Sequence, residues 1–164
     1  MLSVSPLKWP GTLSFSVKTM ISAVEDMVRS AYRQGFHRIL VLNGHGGNLA
    51  ARHHLNEVNN DLPDLKIRWY DWWMSHSVEM VAQKHNIKPS HANWLEAFPF
   101  TVVGELPEGS KIPPKVPSAI MDASTTREVY GDGSFGGPYC VDDGIMQEVL
   151  NAALEDVLLL LNFE

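Results

Sequence analysis

Arg38-Ile39-Leu40-Val41-Leu42-Asn43-Gly44-His45-Gly46-Gly47-Asn48 decides how this chain is read. Consecutive apolar residues, mostly strand formers, run into a turn of glycines around one histidine. A continuous apolar run reads as a strand buried on both faces. The glycines open conformations closed to other residues. The short passage from strand to helix leads us to expect positive φ at Gly46 or Gly47. His45 is then presented at the carboxyl end of the strand, where open α/β sheets place their ligands. An incidental histidine in a plain strand-to-helix turn is one alternative, and a glycine-rich anion nest is another. The spacing matches neither the dinucleotide nor the P-loop fingerprint.

The flanks extend this reading in both directions. Residues 1 to 15 read as an extended lead-in with turns at Pro6 and Pro10-Gly11. Ser16 can cap a helix over roughly 17 to 34, with Met20, Ile21, Val24 and Val28 on its apolar stripe and Gly35 as its stop. The strand follows at about 37 to 42. Asn48 can cap a second helix, roughly 49 to 60, closed by Pro63, and Leu65 to Tyr70 reads as a second strand. That order implies parallel strands joined by a right-handed crossover.

A third helix is expected over 74 to 85. A fourth is expected from about Ala92 to Val103, kinked or stopped early by Pro99. Residues 104 to 140 are rich in Pro, Gly, Ser and Thr and read as a long excursion, with one short strand near 118 to 122. Asp142 or Asp143 can cap the last helix. Its stripe from Ile145 through Leu154 to Leu158 is expected to pack on the sheet.

Composition sets bounds on function. The 164 residues fit one domain with a real core. A net charge of −6 argues against nucleic-acid binding, which needs a basic surface. The single cysteine, Cys140, cannot form an internal disulfide and reads as structural, so a reducing compartment and a cytoplasmic location are expected. The apolar run Val157 to Leu161 is too short to span a bilayer, and no membrane partner is expected. No Gly-x-Ser-x-Gly elbow, Cys-x-x-Cys pair or His-Glu-x-x-His helix is present, so any chemistry comes from a dispersed site.

Several segments together resemble the creatininase (creatinine amidohydrolase) family. Asn43-Gly44-His45-Gly46-Gly47-Asn48 looks like its signature. Trp9-Pro10-Gly11-Thr12 resembles the Phe-Pro-Gly-Thr-type segment before its helix, and Asp71-Trp72-Trp73 its tryptophan-bearing strand end. Ser90-His91-Ala92 with Glu96 resembles its His-Ala-Gly-Glu-x-Glu-Thr-Ser motif, with Asn93, Trp94, Ala97 and Phe98 as departures. The resemblance runs from about residue 9 to 161. It does not include the family's opening Glu-x-His and Asp ligands. The chain therefore reads as an N-terminally truncated or divergent member. Its expected fold is a three-layer α/β/α domain with a mainly parallel sheet, lacking the family's first strand.

The resemblance implies roles for particular residues. His45 and Glu96 fall on metal-binding positions, and one pocket holding both is expected. The expected metal is divalent zinc or manganese, with two ions in a complete family site. His91 takes the place of a histidine suited to general acid–base work. Trp72 and Trp73, with Gly46 and Gly47, are expected to line the substrate pocket, although core filling also accounts for a tryptophan. Glu96, set among apolar neighbours, is expected to be at least half-buried. His53, His54, His76 and His85 read as surface or rim residues, and Asp142-Asp143 as a helix cap.

Two functional classes follow. One is a metal-dependent amidohydrolase acting on a carbon–nitrogen bond of a small cyclic amide or formamide. By family resemblance it would be a homo-oligomer, commonly a hexamer. The other is a non-catalytic relic or small-ligand-binding protein that keeps the scaffold and half of the metal site.

Overall fold

A computed structural model describes residue 9 and residues 12–163. The expected turns at Pro6 and Pro10-Gly11 lie outside them. The chain forms two compact units. Within the described residues the first comprises 12–72 and 157–163, and the second comprises Trp9 and 73–156.

The first unit opens with helix α1, Val17–Arg33. Ser16 starts it in the expected way, its hydroxyl accepting the Thr19 N–H at 3.1 Å. Gly35, at φ +90°, ends it. Strand β1, Arg38–Asn43, leads through a 3-10 turn at Gly46–Asn48 into helix α2, Leu49–Asp61, and then strand β2, Lys66–Asp71. β1 and β2 pair in parallel, from Arg38 opposite Lys66 to Asn43 opposite Asp71.

Alternation along the strands sorts side chains between the two faces of this sheet. Ile39, Val41, Ile67 and Trp69 pack against a core of Val28, Leu55, Val58 and Leu65, which joins α1, α2 and the strand approach. On the other face, Lys66 Nζ donates to the Phe163 carbonyl at 3.3 Å. Arg68 donates to the carbonyls of Leu160 (2.9 Å) and Asn162 (2.6 Å), and its guanidinium lies 4.8 Å from the Phe163 ring. Leu160 lies in the last turn of helix α5, Asp143–Leu161, and Asn162 and Phe163 follow it directly. Helices thus cover one face of a parallel sheet and the end of a helix meets the other, in keeping with the α/β class expected.

The expectation that β1 is buried on both faces is corrected here. Leu42 is 60% exposed, while Ile39, Leu40 and Val41 are half-buried. Among the described residues the sheet has two strands, and its second face meets a helix end rather than a whole helix. The stripe of α5 is corrected for the same reason. Met146 and Val149 are buried, but Leu154 and Leu158 stand exposed, and Phe163 takes the place against β2.

The second unit contains α3, His76–Lys84, capped by Ser75, whose hydroxyl accepts the Val78 N–H at 3.2 Å. Helix α4, Ala123–Tyr130, is capped by Asp122, and a short antiparallel pair joins β3, Ser110–Lys111, to β4, Gly137–Pro138. α5 starts in this unit on Asp142, whose carboxylate accepts the Gly144 N–H at 2.8 Å. Val78, Ala82, Trp94, Leu95, Phe98, Met146 and Val149 are its buried apolar residues.

Two expected elements are absent. Residues 92–103 hold one 3-10 turn, Trp94–Glu96, instead of a helix. Ala92 sits at φ +48°, the Asn93 side chain caps Leu95 N–H at 3.1 Å, and Pro99 has no N–H to give a helix. No strand forms at 118–122. The Asp122 carboxylate accepts the Thr125 N–H at 2.7 Å and begins α4 there. Cys140 is exposed, against a structural role.

Candidate functional site

The histidine turn of the first unit is built by side chains. Asn43, 4% exposed, uses its whole amide. Its Oδ1 accepts the His45 N–H at 3.2 Å and Asn48 Nδ2 at 3.0 Å. Its Nδ2 donates to the His45 carbonyl at 3.0 Å and Asp71 Oδ1 at 2.6 Å. Asp71 Oδ1 also accepts Trp69 Nε1 at 2.8 Å, and its Oδ2 pairs with Arg52 at 3.2 Å. Asp71 and Asn43 are partners in the parallel register, so the strand pairing itself brings them together.

His45 is extended, and its Nδ1 accepts the Gly47 N–H at 3.0 Å, which starts the 3-10 turn. The expected positive φ is corrected: Gly44, Gly46 and Gly47 are not among the positive-φ glycines. Polar side chains hold this turn, so it needs no left-handed residue. A Cβ at Gly46 would meet nothing within 4 Å.

Acceptance of the Gly47 N–H by Nδ1 puts the proton of a neutral His45 ring on Nε2. Coordination would require a ring nitrogen to be released from one of these duties. Beside His45, the Asn48 side-chain oxygen is buried without a hydrogen-bond partner, a cost that a bound polar group would relieve. No cluster of three His, Cys, Asp or Glu side chains suited to a metal forms among the described residues. A catalytic zinc normally has three protein ligands, so the donor types fit a divalent ion but the set is incomplete.

In the second unit, His91 Nδ1 lies 3.6 Å from Glu96 Oε1. The same carboxylate oxygen accepts the Ala92 N–H at 2.8 Å. Their side chains are 36% and 46% exposed, so the expected burial of Glu96 is corrected. The neighbouring Trp94 turns into the core instead, its Nε1 donating to the Lys88 carbonyl at 3.0 Å. The left-handed Ala92 folds the chain back so that residues 91 and 96 meet. Trp72 and Trp73 are half-buried in a 3-10 turn, Trp72–Met74, that follows β2. His45 belongs to the first unit, and His91 and Glu96 to the second.

The remaining histidines serve ion pairs or the surface. His54 lies between Glu25 (2.6 Å) and Glu57 (3.2 Å), and Arg29 joins Glu25 to Asp61 at 2.7 Å each. The hydrogen bond to Glu25 raises the His54 pKa, and that same bond lowers the Glu25 pKa. His85 lies 3.1 Å from Glu148, which Lys84 also approaches, and Lys84 first and His85 second lower the Glu148 pKa. His53 and His76 are exposed.

A polar cluster that sequence reasoning missed surrounds Asp132. Its Oδ1 accepts Lys111 Nζ and the Ser134 N–H (3.0 Å), and its Oδ2 accepts the Tyr139 hydroxyl at 2.7 Å. Burial pushes the Asp132 carboxyl up, but Lys111, Tyr139 and the Ser134 N–H outweigh it and hold the pKa at about 2. The hydrogen bond to Asp132 raises the Tyr139 pKa.

A parallel β–α–β crossover with a histidine turn at the strand ends defines an α/β protein. The family model of creatinine amidohydrolase matches residues 2–161, and the chain belongs to the creatininase family. No curated protein matches it in sequence. Among solved structures, a zinc–zinc form of a mutant creatininase aligns at TM-score 0.69 and 16% identity, over 95% of this chain and 69% of that one. A creatinine amidohydrolase aligns at 0.68 and 17%, over 92% and 64%, and a manganese creatininase at 0.68 and 17%, over 92% and 65%. The chain thus spans about two thirds of the length of these structures.

Proposed function

We propose that this chain acts as a metal-dependent amidohydrolase on a small cyclic amide or formamide. The observation that carries the reading is the family match over residues 2–161, joined to the 3.6 Å approach of His91 to Glu96. The 164 residues would work as one creatininase-like domain, in a cytoplasmic homo-oligomer of hexameric type. Among the described residues no helix is long and apolar enough to cross a membrane.

His45 and Glu96 are the proposed metal ligands, for zinc or manganese. A bound divalent ion supplies carbonyl polarisation and an ionised water at neutral pH. His91, half-exposed beside a carboxylate, can give a proton to the departing nitrogen as the carbon–nitrogen bond breaks. Trp72 and Trp73 offer apolar surface to the substrate, and Gly46 leaves room beside His45.

The test is to strip the purified protein with chelator, restore Zn²⁺ or Mn²⁺, and follow metal binding and creatinine hydrolysis. His45→Ala and Glu96→Gln should each weaken metal binding, on the order of tenfold or more. His91→Ala should lower kcat by about 10²-fold. Metal affinity unchanged in both ligand variants would sink the reading. The second reading, a non-catalytic ligand-binding protein, is favoured by one observation: His45 Nδ1 is committed to the Gly47 N–H. Ligand binding without metal-dependent turnover would select it.

A further inference from the structure

Between the end of α4 and Tyr139 runs Gly131-Asp132-Gly133-Ser134-Phe135-Gly136-Gly137-Pro138. Its glycines take φ of +59°, +100°, +107° and +93°, a path that residues with a Cβ rarely follow. It is nevertheless pinned throughout. Lys111 Nζ donates to the Tyr130 carbonyl (2.6 Å), the Ser134 carbonyl (2.8 Å) and Asp132. Trp9 Nε1 donates to the Gly131 carbonyl at 3.0 Å. Gly136 is so close to Pro113 that a Cβ would come within 2.8 Å of its backbone.

This pinned loop is fitted to the segment carrying His91. Phe135 N–H donates to the His91 carbonyl at 3.0 Å, and Asn93 Nδ2 donates to the Gly136 carbonyl at 3.2 Å. The Phe135 ring lies between His91 (4.7 Å, tilted 56°) and Tyr130 (4.3 Å, nearly parallel). Tyr130 fixes Phe135 on one side, and Phe135 in turn limits the His91 ring.

We propose that the 131–137 loop is a positioning device for His91, with Phe135 setting the imidazole and Asp132 tethering the loop. The proposal rests on the reading of His91 as the acid–base group and adds residues that act through it. A group that transfers a proton must be held within a few tenths of an ångström of its working geometry, and a half-exposed imidazole needs an outside support to stay there. Asp132 serves as the tether because its Oδ1 holds the Ser134 N–H within the loop while its carboxylate also bonds Lys111 and Tyr139 outside it.

The experiment is NMR of the full chain, following the His91 ring signals with His85 as an internal control in the same unit. Asp132→Asn and Tyr139→Phe do not touch His91. Each should shift or broaden the His91 signals and leave those of His85 in place. Phe135→Leu should increase the mobility of the His91 ring, and Phe135→Tyr should restore it. Should Asp132→Asn fail to fold, Tyr139→Phe, which deletes one hydroxyl, decides. Unchanged His91 signals in the tether variants, or equal changes at His85, would overturn the proposal. Unchanged turnover in His91→Ala would instead sink the acid–base reading and leave the positioning result standing.

Discussion

The two glycine-rich turns beside the candidate histidines solve the same geometric problem by different means. The 43–48 turn keeps its glycines out of the left-handed region and is shaped by the amide of Asn43 and the carboxylate of Asp71. The 131–137 loop puts its glycines at positive φ and presses one of them on Pro113. Glycine density therefore carries no single meaning. In the first turn side chains shape the backbone, and a Cβ at Gly46 would meet nothing within 4 Å. In the second the missing Cβ is the requirement.

The largest expected effect is at Gly136. Gly136→Ala sets a Cβ against the Pro113 backbone at a strained φ, and should destabilise the protein by about 3 kcal/mol or more in denaturant unfolding. Asn43→Ala should come next, at about 2 kcal/mol, because it strands half-buried partners that include Asp71. A smaller effect concerns acid. The Asp132 pKa is depressed to about 2, so its contribution is complete above the ordinary value of 3.8 and is lost as pH falls from there towards 2. The side chain is 43% exposed, so solvent screening keeps this below ~1 kcal/mol. Asp132→Asn should flatten that acid limb in a stability–pH curve. The smallest effect is Gly46→Ala, within about 0.5 kcal/mol in the same unfolding measurement. If it cost as much as Gly136→Ala, the contrast between the turns would break.

His54 extends the contrast to the alkaline side. Its pKa is raised by Glu25, so its α1–α2 ion pair is fully present below the ordinary histidine value and fades as pH rises through the raised one. Thermal melts between pH 6 and 9 should show this loss in the wild type and not in His54→Gln.

Much of the first unit was legible because its signals are local. Ser16 and Gly35 bound α1 within a residue of expectation, and β1, α2 and β2 fall within a residue or so of theirs. The segment 92–103 misled because its apolar residues suit a helix, while Asn93 and the left-handed Ala92 act against one. α4 was hidden by Ser124, Thr125 and Thr126, weak helix formers whose start depends on Asp122. At the candidate site, the family resemblance singled out His91 and Glu96 separately and joined Glu96 to His45. The approach of His91 to Glu96 was not expected and depends on the left-handed Ala92. The roles of Asp71 and Asp132 were not legible either, because each depends on partners that only tertiary structure brings near. Asp71 could have been found by laying the two strands in register, opposite Asn43.

Arg68 reaches from β2 to the carbonyls that end α5 and lies against the Phe163 ring. Helix ends ordinarily open and close within the first or last turn, and their amides trade hydrogen with water almost at once. Here a positive group meets the negative end of the helix dipole and occupies its unsatisfied acceptors. The closing turn of α5 should therefore keep time with β2. Its amide deuteration should lag that of an unlatched helix end, and Arg68→Met should make it quick while the middle of the helix stays slow.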